Sequence, residues 1–413
     1  MNSFDTQGEH KAPRRETHMT DQRINIFDPE FQRDPYPHYA VLRRDSPVCQ
    51  VDPGGMWLVT RYDDVAIVLK DYARFSSAGF RKGWEPGWVT YNPLARSMVT
   101  ADPPVHTRVR ALMQRAFGPS AIARLESKAG ELARELTQGL DGEMEVVEAL
   151  SLPLPTFMIG EILGFDARQR GELKRWGDDV LCITPAPPSE ADATRIRASI
   201  REIAGYLREI VEARRLTPKD DTMTALVQAQ VDGQALTTDE IVNNLVLLLL
   251  GGLETTTNLV SNALRLWSVQ PDVFHAVRAD PPCLGNFIEE LLRYDAVGPM
   301  IPRLTMQEVE LRGVTIPAGE MVVATIASAN RDEQVFKDPE RFDLKRDNHG
   351  AIPFGLGHHF CIGAALARME ARVLLGAILE RVQRIEPCEG KIPYSCALTV
   401  RGPLSLRLRF TPA

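Results

Sequence analysis

Six cysteines are scattered through 413 residues, and no two of them form a CxxC pair. That spacing argues against a zinc ribbon or a thioredoxin-like redox motif. A chain this long builds a core without disulfide staples. Each of Cys49, Cys182, Cys283, Cys361, Cys388 and Cys396 therefore reads first as a small buried thiol. Long hydrophobic runs are also missing. The longest apolar-rich stretch, residues 245–253, falls far short of the roughly 20 residues a spanning helix needs. No signal-peptide pattern is visible at the start, so a soluble, cytoplasmic protein without membrane contact is expected. Basic charge is not in excess either: 48 Lys and Arg against 55 Asp and Glu give a net charge of −7. Nucleic-acid binding needs a basic footprint and is not expected. Internal repeats and low-complexity tracts are lacking. What remains, 44% hydrophobic and 25% charged residues, is an ordinary globular balance.

Helical periodicity dominates. Residues 121–139 predict a helix, with Leu125, Ala129, Leu132 and Leu136 on one face. Residues 196–214 predict another, and residues 185–188 (Pro-Ala-Pro-Pro) a connecting loop. Short strands are predicted at 57–60, 321–324 and 404–410. Residues 1–21 are polar and patternless and predict a disordered segment. Residues 79–93 combine glycine, proline and aromatics without a helical period. They predict a long loop carrying Trp84, Trp88 and Tyr91, either a surface loop pinned by its aromatics or a lid over a pocket.

One helix breaks local rules at its middle. Thr237 and Glu240 have capping-box spacing, and Pro271 marks the far end. The span between them is about 32 residues, or about 48 Å. It is apolar nearly all round through residues 245–250, as expected of a helix crossing the molecule's centre. Yet it contains Gly251-Gly252-Leu253-Glu254-Thr255-Thr256. Each interior glycine costs about 1 kcal/mol relative to alanine, and a buried acid adds a desolvation cost. Such joint failures point to function; the plainer alternative is a kink or close helix packing.

A second motif carries the chemistry. In Phe354-Gly355-Leu356-Gly357-His358-His359-Phe360-Cys361-Ile362-Gly363, the cysteine precedes a helix-forming run from Ala364. Unpaired N–H groups and the helix dipole at that position predict a lowered thiol pKa. Gly357 permits a tight turn, Gly363 permits close approach of something flat, and Phe354 and Phe360 are placed to exclude water. The plainer alternative is a buried core cysteine ahead of a helix.

With Phe354, Gly357, Cys361 and Gly363 at this spacing, the segment resembles the haem-binding signature of the cytochrome P-450 family. Further motifs follow in that family's order. Residues 251–255 resemble its oxygen-activating stretch, and Glu290-Leu291-Leu292-Arg293 resembles its Glu-x-x-Arg pair. The resemblance implies a mainly α prism with a small β-rich subdomain, residues 22–413 forming one haem domain. It implies haem b (iron protoporphyrin IX) with Cys361 as the sulfur ligand to iron. Gly251 and Gly252 line the haem, and Thr255 with Glu254 relays protons. His106, Arg110, Arg303 and His359 bind the propionates. Arg341 joins Glu290 and Arg293 in a buried triad that supports the core, although the spacing of that pair alone fits a solvated surface pair better. Thiolate ligation in this family favours O–O cleavage.

The implied activity is insertion of one oxygen atom from O₂ into a bulky apolar small molecule. By family position, Val297, Gly298, Pro299, Met300 and Leu398 join Trp84, Trp88 and Tyr91 around the substrate. A fused flavin domain and an iron–sulfur cysteine cluster are not visible. The resemblance is therefore to the soluble bacterial class, which draws NAD(P)H electrons through a separate ferredoxin reductase and ferredoxin. Docking is expected near Arg108 and Arg115. Two other readings stand beside this one: a haem-thiolate enzyme using peroxide or running a non-oxygenating reaction, and a haem sensor or carrier without turnover. The intact Glu254–Thr255 pair favours O₂ use over peroxide. No second motif offers iron a further protein ligand.

Overall fold

The computed structural model describes residues 23–114, 119–165, 167–183, 189–231, 233–395 and 397–413. The expected disordered segment 1–21, the loop 185–188, Arg115 and Cys396 lie outside the described residues. The rest is mainly helical with small sheets.

The central helix runs Thr238–Val269, as the cap and the proline predict. Thr237 Oγ1 accepts the Glu240 N–H at 3.2 Å, and Glu240 Oε2 accepts the Thr237 N–H at 2.9 Å. These bonds satisfy donors that a helix start otherwise leaves bare. Leu245, Val246, Leu249, Val260, Ala263 and Trp267 are all buried, so the helix is core on nearly every side. Helices Pro119–Leu136, Pro153–Leu163, Ala167–Leu181, Glu190–Leu216, Leu284–Tyr294 and Ala364–Arg381 form the helical body of the molecule. The two predicted from periodicity, 121–139 and 196–214, are displaced by a few residues at their ends, where caps rather than apolar spacing decide.

A five-stranded sheet lies in the order Val48–Val51, Met56–Val59, Met321–Ala324, Ile301–Thr305, Phe75–Ser76. All pairs are antiparallel except Met321–Ala324 against Met56–Val59. Val322 stands opposite Arg303 in this ladder, which fixes Arg303 on an inner strand. A second sheet joins Val382–Pro387, Arg407–Pro412 and Gly142–Glu145. The strand predicted at 404–410 thus begins only at Arg407. Its alternating pattern extended further back than the hydrogen-bonding partners do.

The segment expected as a long loop opens with 3₁₀ turns over Ala78–Trp84 and is irregular from there to residue 93. It is tied down along its length. Asn92 donates to the Trp84 carbonyl at 2.7 Å, and Arg197 of helix Glu190–Leu216 donates to the Trp88 carbonyl at 3.2 Å. Tyr91 donates its hydroxyl proton to Asn243 of the central helix.

Candidate functional site

The thiol loop needs its glycines for two separate reasons. Gly355 and Gly357 have φ of +75° and +71°, in the left-handed region. Gly357 also comes close to helix Tyr62–Lys70: an added Cβ would sit 3.1 Å from the Leu69 carbonyl oxygen. The Cys361 N–H closes the turn on the Phe354 carbonyl at 3.0 Å. Gly363 then caps helix Ala364–Arg381 and gives its N–H to the Cys361 thiol. Arg368 stacks on the Phe354 ring, 4.4 Å from its centre, and pairs with Glu289 through two bonds of 2.5 and 2.9 Å. Phe360, expected to exclude water, is 42% exposed and does not.

Cys361 is hemmed in by protein yet keeps an accessible surface, as a residue in a cavity wall does. Burial pushes its thiol above the ordinary value, while the Gly363 N–H and the Arg110 and Arg368 cations pull it down. The lowered pKa expected from the helix N-terminus is therefore overturned. Desolvation of the anion outweighs the three favourable contacts. A metal cation at the sulfur reverses that balance, since a coordinated thiol is deprotonated outright.

Four basic side chains gather beside it. His106, 1% exposed on helix Val105–Met113, lies 4.2 Å ring to ring from His359. Arg110 follows one turn later on the same helix and interacts with Cys361. Arg303 comes from the five-stranded sheet. Burial, then Arg110 and His358, hold His106 down to about 4. Burial, then Arg303 and His106, hold His359 down to about 2. Burial lowers Arg303 to about 10, opposed by Asp102. Both ring nitrogens of His106, His359 Nε2 and Arg303 Nη2 are buried without a hydrogen-bond partner among the described residues. Asp102 is occupied by Ser76 Oγ and the Ser77 N–H, at 2.5 and 2.9 Å. Buried donors and depressed basic groups around one point are what an anion site looks like before its charge is balanced. The two carboxylates of a haem fit this set, and a thiol in the adjoining wall fits its iron.

The central helix supplies another wall. Gly251 is exposed beside buried Leu250 and half-buried Gly252, and a Cβ there would meet nothing within 4 Å. Gly252 differs from what was expected of it. It packs on Ile159, whose Cδ1 would lie 3.2 Å from a new Cβ, so it serves helix packing rather than open space. Thr255 donates its hydroxyl proton to the Gly251 carbonyl at 2.5 Å. Glu254 is half-buried, and burial, then Asp178, raises its pKa while Lys174 lowers it. Lys174 bridges both Asp178 oxygens at 3.0 Å on helix Ala167–Leu181. Neither Asp178 nor Lys174 stood out in the sequence; their i, i+4 spacing is common on exposed helix faces.

Glu290 and Arg293 form a two-point ion pair, both bonds 2.8 Å and both side chains 0% exposed. The third partner is not Arg341. That side chain is exposed, and only its carbonyl faces Arg293, at 3.4 Å. Arg346 takes the place, with Nε 3.1 Å from Glu290 Oε1. Nothing in the spacing of the two arginines distinguishes them; the path of the chain after residue 338 does. Among the expected substrate contacts, Val297 belongs to the main core, and the half-buried Trp88 and Tyr91 pack against it. Met300 and Leu398 pack with Val323 and Ala327 in a different cluster. Trp84 anchors the loop through its carbonyl. Arg108, expected to meet a redox partner, is tied to Glu240 of the central helix.

Residues 185–395 match the family model described as cytochrome P450. The chain is 36% identical over 398 residues to cytochrome P450 monooxygenase PikC of Streptomyces venezuelae, covering 94% of each. It is similar to the structure of cytochrome P450 CYP109Q5 from Chondromyces apiculatus, with a TM-score of 0.87 and 38% identity, over 94% of this chain and 98% of that one. It is also similar to CYP109E1 from Bacillus megaterium in complex with testosterone, with a TM-score of 0.81 and 32% identity, over 91% and 99%. The chain belongs to the cytochrome P450 family and is a monooxygenase-type oxidoreductase.

Proposed function

We propose that residues 22–413 act as one haem b domain that inserts an oxygen atom from O₂ into a bulky, apolar, steroid-sized molecule. The observation that carries this reading is the cluster of basic side chains beside Cys361: the buried His106, His359 and Arg303, with nitrogens that have no hydrogen-bond partner among the described residues, and Arg110. In this reading they hold the propionates, and Cys361 holds the iron. Haem supplies the oxygen-activating chemistry when bound. Gly251 leaves room in the opposing wall, Thr255 Oγ1 passes a proton into the pocket, and Glu254 resupplies it. The raised pKa of Glu254 suits a group that must carry a proton, and Lys174–Asp178 links it to an exposed helix face. Trp84, Trp88, Tyr91, Val297, Met300 and Leu398 surround the substrate. The testosterone complex of CYP109E1 supports the choice of ligand size. NAD(P)H electrons arrive through ferredoxin reductase and ferredoxin.

The reduced carbonyl complex tests the ligand. The parent chain should give the red-shifted Soret band of thiolate ligation, and Cys361→Ala should lose it. A variant that kept the band would move the ligand to another cysteine. A spin-state screen of steroids, macrolides, terpenoids and fatty acids tests the substrate class, with steroids expected to give the largest change.

A further inference from the structure

The second half of the central helix carries a polar stripe that core packing does not explain. At 3.6 residues per turn, Thr255, Asn258, Asn262 and Arg265 fall within about 80° of helix face along about 15 Å of rise. Asn262 is 0% exposed, and neither its amide nitrogen nor its amide oxygen has a hydrogen-bond partner among the described residues. Turning the amide over cures nothing, because both ends are bare. Arg265 Nε is likewise buried and unpartnered, while Arg265 Nη2 reaches Asp295 at 2.9 Å. At the near end Asn258 presses on Gly402, where a Cβ would collide with the asparagine side chain. The next residue back, Arg401, bonds the same Asp295 at 2.5 Å. Arg265, Asp295, Tyr394 and Arg401 line a cleft of about 1230 Å³. The stripe therefore starts at Thr255 and ends at a cleft, with Gly402, Arg401 and Tyr394 alongside it.

Buried polar atoms that find no protein partner bind water. We infer that this face of the central helix is a hydration track, with water held at Asn262, joining the pocket at Thr255 to the cleft at Arg265. At its mouth Arg265, Arg331 and Arg401 face Asp295, Arg331 also bonds Glu340 at 2.5 Å, and Glu30 and Asp34 line the same cleft, so the opening is polar and its charges are nearly balanced. A bulky ligand entering under the loop with Trp84 and Trp88 must displace water from the pocket, and the track gives that water a second way out. This role rests on the monooxygenase reading; the water site itself does not.

Two measurements on the haem-loaded chain separate these claims. A high-resolution crystal structure should show ordered water on both amide atoms of Asn262, continuing toward Arg265 Nε. Asn262→Leu should remove that water and keep haem content. Stopped-flow mixing with testosterone, or with the strongest binder of the screen, should then show the haem absorption change slowed several-fold. Asn262→Ser, which retains a polar group for water, should restore the rate, and the ratio of product to NADPH consumed should not move in either variant. Protein partners on both Asn262 amide atoms would overturn the water site. Equal rates in all three proteins would overturn the track. Failure of the thiolate band would sink the functional reading alone, because the crystallographic water does not depend on it.

Discussion

Glu290 holds two guanidinium groups, Arg293 through two bonds and Arg346 through one, in a place closed to solvent. Removing its carboxylate leaves both cations buried and unanswered. Glu290→Ala should cost about 3–5 kcal/mol and lower haem incorporation, read by thermal unfolding and by absorbance. Arg341→Ala, at an exposed side chain, should stay within about 0.5 kcal/mol of the parent. Equal losses in the two variants would restore Arg341 to the buried set. The basic cluster gives a prediction of opposite sign in two states. His106→Leu deletes two buried, unpartnered nitrogens, so the haem-free chain should melt higher. The same change removes a charge-assisted bond to a propionate, so haem transfer to apomyoglobin should speed by roughly tenfold. A variant that lost stability while keeping its haem would place the propionates elsewhere.

On the central helix the two glycines serve different neighbours. Gly251→Ala enters open space and should gain up to about 1 kcal/mol of helix stability. Gly252→Ala must push Ile159 aside, and the gain should be lost. Thermal melts of the haem-free variants compare the two. Thr255 bonds back to the carbonyl four residues earlier, an arrangement that bends helices and frees a hydroxyl only at a cost in local regularity. Thr255→Ala should keep haem and the carbonyl spectrum. It should still consume NADPH but release much of it as hydrogen peroxide, measured as the peroxide-to-product ratio. A ratio equal to the parent's would transfer the proton role to a water chain or to the substrate itself.

For the molecule as a whole, pH dependence carries a signature from one fully buried acid. Glu370, 2% exposed on helix Ala364–Arg381, has no partner for Oε2 among the described residues. Burial pushes it up to about 8 from an ordinary 4.5. The folded chain therefore keeps a proton that the unfolded chain releases between those values. Its stability should fall as pH rises from about 4.5 to about 8, by at most about 1.36 kcal/mol per pH unit from this group. Glu370→Gln, neutral throughout, should flatten that fall and melt higher than the parent at pH 8. Identical pH profiles would mean that Glu370 is solvated or paired in solution. Among the described residues no helix is long and apolar enough to cross a membrane, in keeping with the short apolar runs.

The sequence by itself determined the features that depend on near neighbours in the chain. The capping box and Pro271 bounded the central helix, glycine and cysteine spacing marked the thiol loop, and the i, i+3 spacing paired Glu290 with Arg293. Each of these is a local event, set by backbone geometry within a few residues. The tertiary structure decided what depends on distant neighbours. Arg346 rather than Arg341 meets Glu290 because the chain turns its carbonyls, not its Arg341 side chain, toward Arg293. Gly252 serves Ile159 rather than the pocket because helix Pro153–Leu163 packs there. The Cys361 thiol rises instead of falling because desolvation is summed over everything around it, and no stretch of sequence carries that sum.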